Sequence, residues 1–498
     1  MRHRKLLLVA AAVTSAAIML SACSGPSATP SASTDATLKV ALVLEPTDLN
    51  IRKTSGAALD QVLIDNVYQG LVSRTEDGKI VDTLAKSHEI SSDGLTYTFE
   101  LQSGVTFHDG KKLTVDDVVD SLQQVKSDAS VQGNADLQKV SDISAPDDHT
   151  VQLKLSAPDS NLLWNLTGRA GLVLEKGATN NLSDTANGTG PFTLKTWKQG
   201  DSITLDRFAD YWGDKVKVKE VVFSYIPDPA AAVNAVLAGE VDVQTALNAN
   251  LRDQIAKDKD LSVTEGKTTD KYTLAFNNQK APLNNPLVRE ALRSAIDHKA
   301  IVAAVGGAAV EQFGPIPELD PGYENLSKLV TYDPAKAKDL LKQAGQENLT
   351  LTLTIPSFYG TDVSNVLVSE FKAIGVTLKV DSVEFTAWLN NVYTNHDYDL
   401  SFVNHVEARD FGNWANPNYY FGYDNAQVQS LYAESVAATD PAVADEKLKE
   451  AAYLVSKDNA ADWLYTAITL TVVRSGVTGF PVDSVNSRIN LAKVAVSQ

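Results

Sequence analysis

The chain has 498 residues, of which 44% are hydrophobic, and it carries a formal net charge of −18 at pH 7. So acidic a chain disfavours nucleic acids and anionic lipid headgroups as partners, because like charges repel. A chain of this length exceeds what a single hydrophobic core usually holds, so we expect two or three domains.

The N-terminus has the layout of a secretory signal peptide. Arg2, Arg4 and Lys5 precede an uncharged, mostly apolar run from Leu6 to Leu20. This run is short for a membrane span and typical of a signal core. We therefore predict that residues 1–22 are a signal peptide, whose removal takes away three positive charges and changes the formal charge from −18 to −21.

The signal core ends in Leu20-Ser21-Ala22-Cys23, which resembles the lipobox of bacterial lipoproteins. The resemblance implies that Cys23 is lipidated. The lipid would anchor the protein to the outer face of the bacterial cell membrane, or hold it within the periplasm. Cys23 is the single cysteine, so the chain offers no internal disulfide. Ser, Ala, Thr and Pro dominate the following residues, and we predict that 23–36 are the lipidated cysteine and a flexible tether.

Strand and turn signals begin directly after the tether. Alternating apolar residues from Leu38 to Leu44 predict a strand that leads into the loop Glu45-Pro46-Thr47. The pair Asp93-Gly94 between two strand-like runs predicts a hairpin, because this pair tolerates a tight turn. Thr114, followed three residues later by Asp117, predicts a capped helix.

Three later helices carry the same start signal, a capping side chain followed by proline. The pairs are Asp228-Pro229, Asn285-Pro286 and Asp333-Pro334. In the second of these helices we expect the apolar stripe to face the core, with Arg293 and Asp297 one turn apart on the solvent side.

Several motifs along the chain occur together in one known family. They are the run from Leu84 through Asp93-Gly94 and Phe107-His108-Asp109-Gly110 to Val119, then Gly188-Thr189-Gly190-Pro191-Phe192 and Tyr211-Trp212-Gly213. As a set they resemble family 5 extracytoplasmic solute-binding proteins, which include the oligopeptide-, dipeptide- and nickel-binding components of bacterial ABC importers. The resemblance implies an α/β fold: a two-lobed, periplasmic-binding-protein-like clamp with an additional inserted domain (type II, three-domain).

The implied clamp suggests a division of the chain. Lobe I is expected to comprise residues 37–52, 180–268 and 471–498. Residues 53–179 form the inserted domain, and residues 269–470 form lobe II.

Within lobe II, the sequence predicts a βαβ unit. Leu349 to Ile355 alternates as a strand, Asp362 to Ile374 has helical spacing, and Val376 to Val380 is a second strand. Asp399 to Val403 supplies a further strand, and the loop 404–420 leaves its carboxyl end. Ligands of open α/β sheets bind at that edge, so we expect this loop to face a ligand.

The loop contains complements to both termini of a peptide or amino acid. Arg409 offers a fork for a carboxylate, while Glu407 and Asp410 can accept hydrogen bonds from an amine. The remaining candidates in the loop are a hydrogen-bonding His405 and the aromatic Trp414, Tyr419 and Tyr420, which supply flat apolar area. The alternative is a structural role, in which the charged residues form a local ion-pair network and the rings pack into the lobe.

The family resemblance also implies an aspartate shortly after a tryptophan, where it meets the peptide amine in many relatives. This sequence has His405-Val406-Glu407-Ala408-Arg409-Asp410 instead, which leaves the choice of acid open. Glu45, Ser357 and Tyr359 follow other predicted strands and complete the set of candidate binding residues.

No motif indicates catalysis, a cofactor or a bound metal. The seven histidines show no HxH or HExxH spacing, and Gly266-Lys267-Thr268 lacks the first glycine of a P-loop. The leading hypothesis is a monomeric, lipid-anchored receptor that captures a small solute, most favourably a peptide, and delivers it to an ABC permease. The alternatives are the same clamp for a nickel chelate, an opine-like conjugate or an oligosaccharide, and a secreted lipoprotein hydrolase.

Overall fold

The computed structural model describes residues 35–486 and 488–497. The predicted signal peptide, Cys23 and nearly all of the predicted tether lie outside the described residues. Within the described ranges, no helix has both the length and the apolar character needed to cross a bilayer.

The described residues form an alternation of strands and helices. The strands are Thr37–Leu42 (β1), Val72–Arg74 (β2), Ile80–Asp82 (β3), Ala85–Ile90 (β4), Thr96–Leu101 (β5), Val140–Ser144 (β6), Thr150–Leu155 (β7), Phe192–Lys198 (β8), Ser202–Arg207 (β9), Glu220–Tyr225 (β10), Val243–Gln244 (β11), Leu261–Phe276 (β12), Ala309–Glu311 (β13), Thr350–Pro356 (β14), Thr377–Val383 (β15), Leu400–His405 (β16), Ala461–Arg474 (β17), Val477–Thr478 (β18) and Ala495–Val496 (β19). The helices are Ala57–Leu63 (α1), Val115–Ser127 (α2), Leu162–Leu166 (α3), Pro229–Leu237 (α4), Arg252–Ile255 (α5), Pro286–Ser294 (α6), His298–Ala304 (α7), Pro334–Gln343 (α8), Asp362–Ala373 (α9), Phe385–Trp388 (α10), Ala426–Ala437 (α11) and Pro441–Lys457 (α12).

One large sheet connects two halves of the molecule. Its strand order is β15-β14-β16-β12-β17-β11-β1-β10-β9-β8, with β13 beside β17. We call the half with β1 and β8–β11 the first lobe, and the half with β13–β16 and the helices packed on it, including α11 and α12, the second lobe. The antiparallel strands β12 and β17 belong to both, and β12 becomes irregular between Lys267 and Lys271, where it passes from the first lobe to the second.

The carboxyl ends of the parallel strands in both lobes point toward this irregular segment. In the second lobe, β16 runs parallel to β14, and its last residue, His405, pairs with Lys271. In the first lobe, β11 runs parallel to β1 and ends at Gln244, which pairs with Val472 of β17. Because ligands of α/β sheets bind beyond the carboxyl ends of the strands, the region between the lobes is the place to look for a site.

A separate antiparallel sheet, β4-β5-β7-β6, packs with α2 and α3 into a body that we call the small domain. Its core includes Phe99, Val118 and Leu122, all fully buried. The predicted hairpin joins β4 to β5, and Thr114 and Asp117 form the predicted reciprocal cap of α2. Local signals therefore determine this part of the chain.

The predicted βαβ unit of the second lobe is present. The strands β14 and β15 are parallel, α9 connects them, and β16 adds to the other side of β14. The three proline-started helices also begin where predicted, since Asp228, Asn285 and Asp333 each accept a hydrogen bond from a backbone N–H of the first turn.

The solvent-side position predicted for Arg293 is wrong. Its side chain is buried, its Nε lies 3.4 Å from Asp462 Oδ1, and its Nη1 donates to the Ser456 carbonyl at 2.6 Å. The strand β17 and the end of α12 cover this face of α6, and they supply the acceptors that a buried guanidinium requires. Asp297 instead caps α7 through the backbone N–H of Lys299.

Candidate ligand-binding cleft

The segment Val406–Asp410, which follows β16, lies where the second lobe meets the small domain and the C-terminal segment. The backbone N–H of Ala408 donates to Asn486 Oδ1 at 2.9 Å, and that of Arg409 donates to Asp320 Oδ2 at 2.7 Å. Arg409 has a left-handed backbone with φ of 58°. A non-glycine residue holds this conformation only where its surroundings enforce it, and the two side-chain acceptors do so here.

Asp410 forms a buried ion pair with Lys271. Lys271 Nζ lies 3.1 Å from Asp410 Oδ1, and Lys271 is only 2% exposed. The same ammonium donates to the Glu407 carbonyl at 2.7 Å and to the Thr269 carbonyl at 3.2 Å. With three acceptors for three N–H donors, the ammonium is saturated. Asp410 is therefore neutralised within the protein, although burial still raises its pKa.

Asp320 and Arg409 lack such partners. Asp320 Oδ1 is buried without a hydrogen bond, and burial raises the pKa of Asp320 from 3.8 to about 6. Arg409 Cζ lies 4.1 Å from the centre of the Trp164 ring in the small domain, and its Nε is also buried without a hydrogen bond. Burial lowers the pKa of Arg409 to about 10. Among the described residues, no carboxylate forms an ion pair with this guanidinium.

His405 lies buried at the end of β16, next to this group, and contacts Tyr420. Its Nε2 lies 3.0 Å from the Tyr420 hydroxyl, the two rings stack, and burial lowers the pKa of His405 to about 4. The imidazole is thus neutral at physiological pH. One ligand atom each from His405, Glu407 and Asp410 lie within 4.8 Å of one another, a spacing that can hold a metal ion. The Lys271 ammonium on Asp410 works against a cation there, because like charges repel.

The aromatic candidates of the loop pack behind it. Trp414 is 4% exposed, stacks on Phe421 with ring centres 3.9 Å apart, and meets Trp463 edge-on. Tyr420 is 1% exposed. Protein covers both rings, so their predicted role of offering flat surface to a ligand does not fit their position; they stabilise the second lobe. Tyr419 is half-buried against Tyr393.

The candidates from other strand ends do not line the two cavities beside Arg409, and Tyr359 forms a hydrogen bond with the strand that precedes the Arg409 segment. Glu45 Oε1 accepts hydrogen bonds from Trp197 Nε1 and the Gly200 N–H, both at 2.9 Å, so its carboxylate holds the turn between β8 and β9. Tyr359 accepts through its hydroxyl from the backbone N–H of Asn404 at 3.0 Å. Ser357 is exposed beside it. The structure therefore brings together His405, Glu407, Arg409 and Asp410, and not the whole predicted set.

Two neighbouring cavities, which share part of their lining, open between the small domain and the second lobe. The larger, of about 750 Å³, is lined by Glu407, Arg409 and Trp164 among others. The smaller, of about 230 Å³, has Asp320 in its lining. Asp159, Arg409 and Asp410 border both, so the group described above lies at their junction.

Further buried polar atoms without partners lie at the carboxyl ends of strands that point toward the region between the lobes. They include the Tyr225 hydroxyl at the end of β10 and Gln244 Oε1 at the end of β11, both in the first lobe, and Asn404 Oδ1 on β16 in the second, and none of these residues lines either cavity. Buried polar atoms are almost always hydrogen-bonded in folded proteins. Such a concentration is typical of a surface that a ligand or ordered water completes.

Comparison with known proteins identifies the family of the chain. The family model for bacterial extracellular solute-binding proteins, family 5, matches residues 79–428. The chain belongs to this family. It is 30% identical over 372 residues to the dipeptide-binding protein of Escherichia coli K12, covering 68% of this chain and 69% of that protein. It is 27% identical over 467 residues to the glutathione-binding protein GsiB of Pectobacterium atrosepticum, covering 88% and 89%.

The fold is shared with solved structures of the same kind. The ABC transporter-associated periplasmic binding protein DppA of Helicobacter pylori, in complex with the peptide STSA, superposes with a TM-score of 0.77 at 25% identity, over 93% of this chain and 98% of that one. The predicted α/β clamp of the periplasmic-binding-protein type is thus confirmed. This family 5 member is the substrate-binding component of an ABC importer, within a family of binding proteins rather than enzymes.

Sequence reasoning missed Lys271, Asp320 and Trp164. Lys271 gave one signal, since it directly precedes the mostly apolar run Tyr272-Thr273-Leu274-Ala275-Phe276, and a lysine buried beside such a run requires a counter-ion. Asp320 stands in Leu319-Asp320-Pro321, which is indistinguishable from an ordinary turn. Nothing in the sequence marks Trp164 as a contact of Arg409.

Proposed function

We propose that this family 5 protein captures a small peptide, or an amino acid conjugate with a free carboxylate, in the cleft between the small domain and the second lobe. It acts as a monomer, anchored to the outer face of the membrane by lipid on Cys23, and delivers the ligand to an ABC permease. The proposal keeps the three-part division of the chain given above. Its relatives support the ligand class, since they are described as binding dipeptides, glutathione and the peptide STSA.

The observation that carries the proposal is the guanidinium of Arg409. It borders both cavities, is mostly buried, and lacks an ion-pair partner among the described residues. A desolvated guanidinium without an anion is unfavourable, and a carboxylate satisfies it through two parallel hydrogen bonds. An anionic ligand group beside Arg409 therefore completes the site.

The amine of the ligand is assigned to Glu407. Asp410 already holds the ammonium of Lys271, so a second ammonium there would displace an internal partner. Glu407 lies exposed on the wall of the larger cavity and makes no side-chain ion pair in the described structure. A zwitterionic ligand lying between Arg409 and Glu407 contacts both the loop and the small domain, so its binding favours the closed clamp.

The test is calorimetric titration of the purified, ligand-free protein with dipeptides to pentapeptides, each as the free acid and as the C-terminal amide. We expect one-to-one binding of the free acid, and about 10- to 100-fold weaker binding of the amide. In Arg409→Gln the acid binds weakly and the difference between acid and amide disappears. Arg252→Gln, which changes an exposed arginine paired with Glu265, is the matched control.

Two results would count against this function. Equal binding of acid and amide by the unaltered protein would remove the role of Arg409, and cleavage products in the titrated sample, detected by mass spectrometry, would favour the hydrolase alternative. Nickel chelates, opine-like conjugates and oligosaccharides in the same titration test the other cargoes. For the anchor, we expect Cys23→Ala to move the protein from the membrane fraction to the soluble fraction.

A further inference from the structure

The C-terminal part of the chain runs across the two strands that connect the lobes. Residues 482–486, which we call the strap, make hydrogen bonds to both of these strands. The Thr469 hydroxyl of β17 donates to the Val482 carbonyl at 2.8 Å, and the Lys267 N–H of β12 donates to Asp483 Oδ1 at 2.6 Å. The strap is therefore fixed where the irregular part of β12 begins, at the passage between the lobes that we call the hinge.

The other end of the strap holds the segment that carries Arg409. Asn486 Oδ1 accepts a hydrogen bond from the Ala408 N–H at 2.9 Å. Asn486 has a left-handed backbone with φ of 55°, as Arg409 does with φ of 58°. Asparagine tolerates this conformation better than most residues, so it can hold the turn of the strap and still offer a short side-chain acceptor. Unfavourable backbone conformations on both sides of one hydrogen bond suggest a functional contact.

Two successive N–H groups of this segment are held by different lobes. The Ala408 N–H is bound by the strap, whose continuation through Ile489 and Leu491 packs into the core of the first lobe. The Arg409 N–H is bound by Asp320 Oδ2, which follows β13 in the second lobe. The left-handed conformation of Arg409 thus depends on how the two lobes are placed, and a rotation about the hinge changes it.

We propose that Asn486 is a positioning residue, which presents the Arg409 guanidinium to the ligand carboxylate only in the closed clamp. In the closed arrangement the strap fixes the Ala408 N–H, and Arg409 then borders both cavities. When the lobes separate, the strap stays with the first lobe, and its bond to Ala408 breaks because Asp320 keeps the segment with the second lobe. The inference rests on the proposed function, which assigns the ligand carboxylate to Arg409.

The experiment is a double-mutant cycle with Asn486→Gly and Arg409→Gln. Calorimetry measures the affinity of each variant for one peptide, as the free acid and as the C-terminal amide. Glycine keeps the left-handed backbone and removes the acceptor. We expect Asn486→Gly to weaken binding of the acid by ~3- to 10-fold, the effect of about one hydrogen bond, and to leave the amide within about twofold. In the Arg409→Gln background the same substitution should have no further effect on the acid.

Three more variants complete the design. Asn486→Asp keeps the acceptor oxygen and should retain the ratio of acid to amide affinity, compared with the unaltered protein in high salt, which screens the added charge. Asp483→Ala releases the hinge end of the strap and should lower the ratio as Asn486→Gly does. Asn490→Gly is the matched control, because Asn490 Oδ1 accepts from the Ala492 N–H within the C-terminal segment. It should bind both peptides like the unaltered protein.

The two proposals fail differently. Equal weakening of acid and amide by Asn486→Gly overturns the positioning role, because the strap would then only stabilise the closed clamp. An additive double variant, an unchanged ratio in Asn486→Gly or Asp483→Ala, or a lost ratio in Asn486→Asp overturns it too. In all of these cases the proposed function stands if Arg409→Gln still abolishes the preference for the acid. If the unaltered protein binds acid and amide equally, the positioning role and the proposed function are both wrong.

Discussion

Replacement of Asp320 by asparagine tests whether the cleft holds a destabilised carboxylate. Asp320 is buried among Lys271, Arg409 and Asp410, and burial is the largest cause of its raised pKa. The change Asp320→Asn keeps an oxygen that can accept from the Arg409 backbone N–H, and it removes the negative charge. We expect the empty variant to be more stable than the unaltered protein at neutral pH.

The magnitude follows from the pKa of Asp320, raised from 3.8 to about 6. Ionisation of this carboxyl in the folded protein costs about 3 kcal/mol, since a tenfold change in acidity corresponds to about 1.4 kcal/mol. The folded state binds the proton more tightly than the unfolded chain, so this cost appears as the pH rises from about 4 to about 6 and is complete above that. In Asp320→Asn the new side-chain amide N–H has no acceptor, which destabilises the variant by about 1 kcal/mol. The net stabilisation of the variant is therefore about 2 kcal/mol.

The assay is thermal unfolding of both proteins at pH 7.5 and pH 4.0. We expect a higher melting temperature for Asp320→Asn at pH 7.5 and no advantage at pH 4.0. Burial lowers the pKa of His405 and of His108 to about 4, which makes stability fall on acidification, but this slope is common to both proteins and cancels in their difference. The exposed Glu324→Gln is the control. A difference that is independent of pH would refute the reasoning.

Three further predictions concern contacts around the cleft. Lys271→Met leaves the buried Asp410 carboxylate unpaired and should destabilise the protein by about 3–5 kcal/mol, with partial recovery in the double variant Lys271→Met/Asp410→Leu, both measured by chemical unfolding. Trp164→Leu removes the surface on which Arg409 lies, and we expect a larger radius of gyration of the empty protein by small-angle X-ray scattering; an unchanged radius would contradict a closing contact. Glu45→Ala should leave peptide affinity within about twofold in calorimetry, because hydrogen bonds to the β8–β9 turn occupy that carboxylate, whereas a large loss would return Glu45 to the site.

The parts of the fold that sequence predicts are those fixed by neighbours in the chain. The cap before Pro286, the Asp93-Gly94 hairpin and the βαβ unit from Thr350 to Val383 each depend on residues a few positions apart. Backbone geometry and hydrophobic periodicity determine such elements without knowledge of the rest of the protein. They were predicted with nearly correct positions.

The partners of charged residues could not be predicted in this way. Arg293 lies on a helix whose periodicity places it toward solvent, and only the arrival of Asp462 on β17 allows it to be buried. Asp410 likewise pairs with Lys271, a residue on a distant strand. The composition of the loop suggests that its three charged side chains bind a zwitterion. In the folded protein one of the three, Asp410, binds Lys271 instead. The sequence also suggests Trp414 as a ligand contact, whereas the structure buries it in the second lobe. An aromatic ring next to charges is equally suited to a core or to a site, so sequence alone does not distinguish the two.

The unpaired guanidinium of Arg409 also gives a physical reason for the empty clamp to open. In the described arrangement Arg409 is mostly buried without an ion-pair partner, and burial lowers its pKa to about 10 although the nearby Asp320 charge acts in the opposite direction. Its desolvation opposes closure by at most about 3 kcal/mol, reduced by the solvent that reaches it through the larger cavity. Opening the cleft returns the guanidinium to water and removes this cost, whereas a ligand carboxylate removes it without opening. The upper limit of about 3 kcal/mol corresponds to at most roughly a hundredfold change in the ratio of closed to open protein, so the unpaired arginine couples ligand binding to closure by no more than this factor.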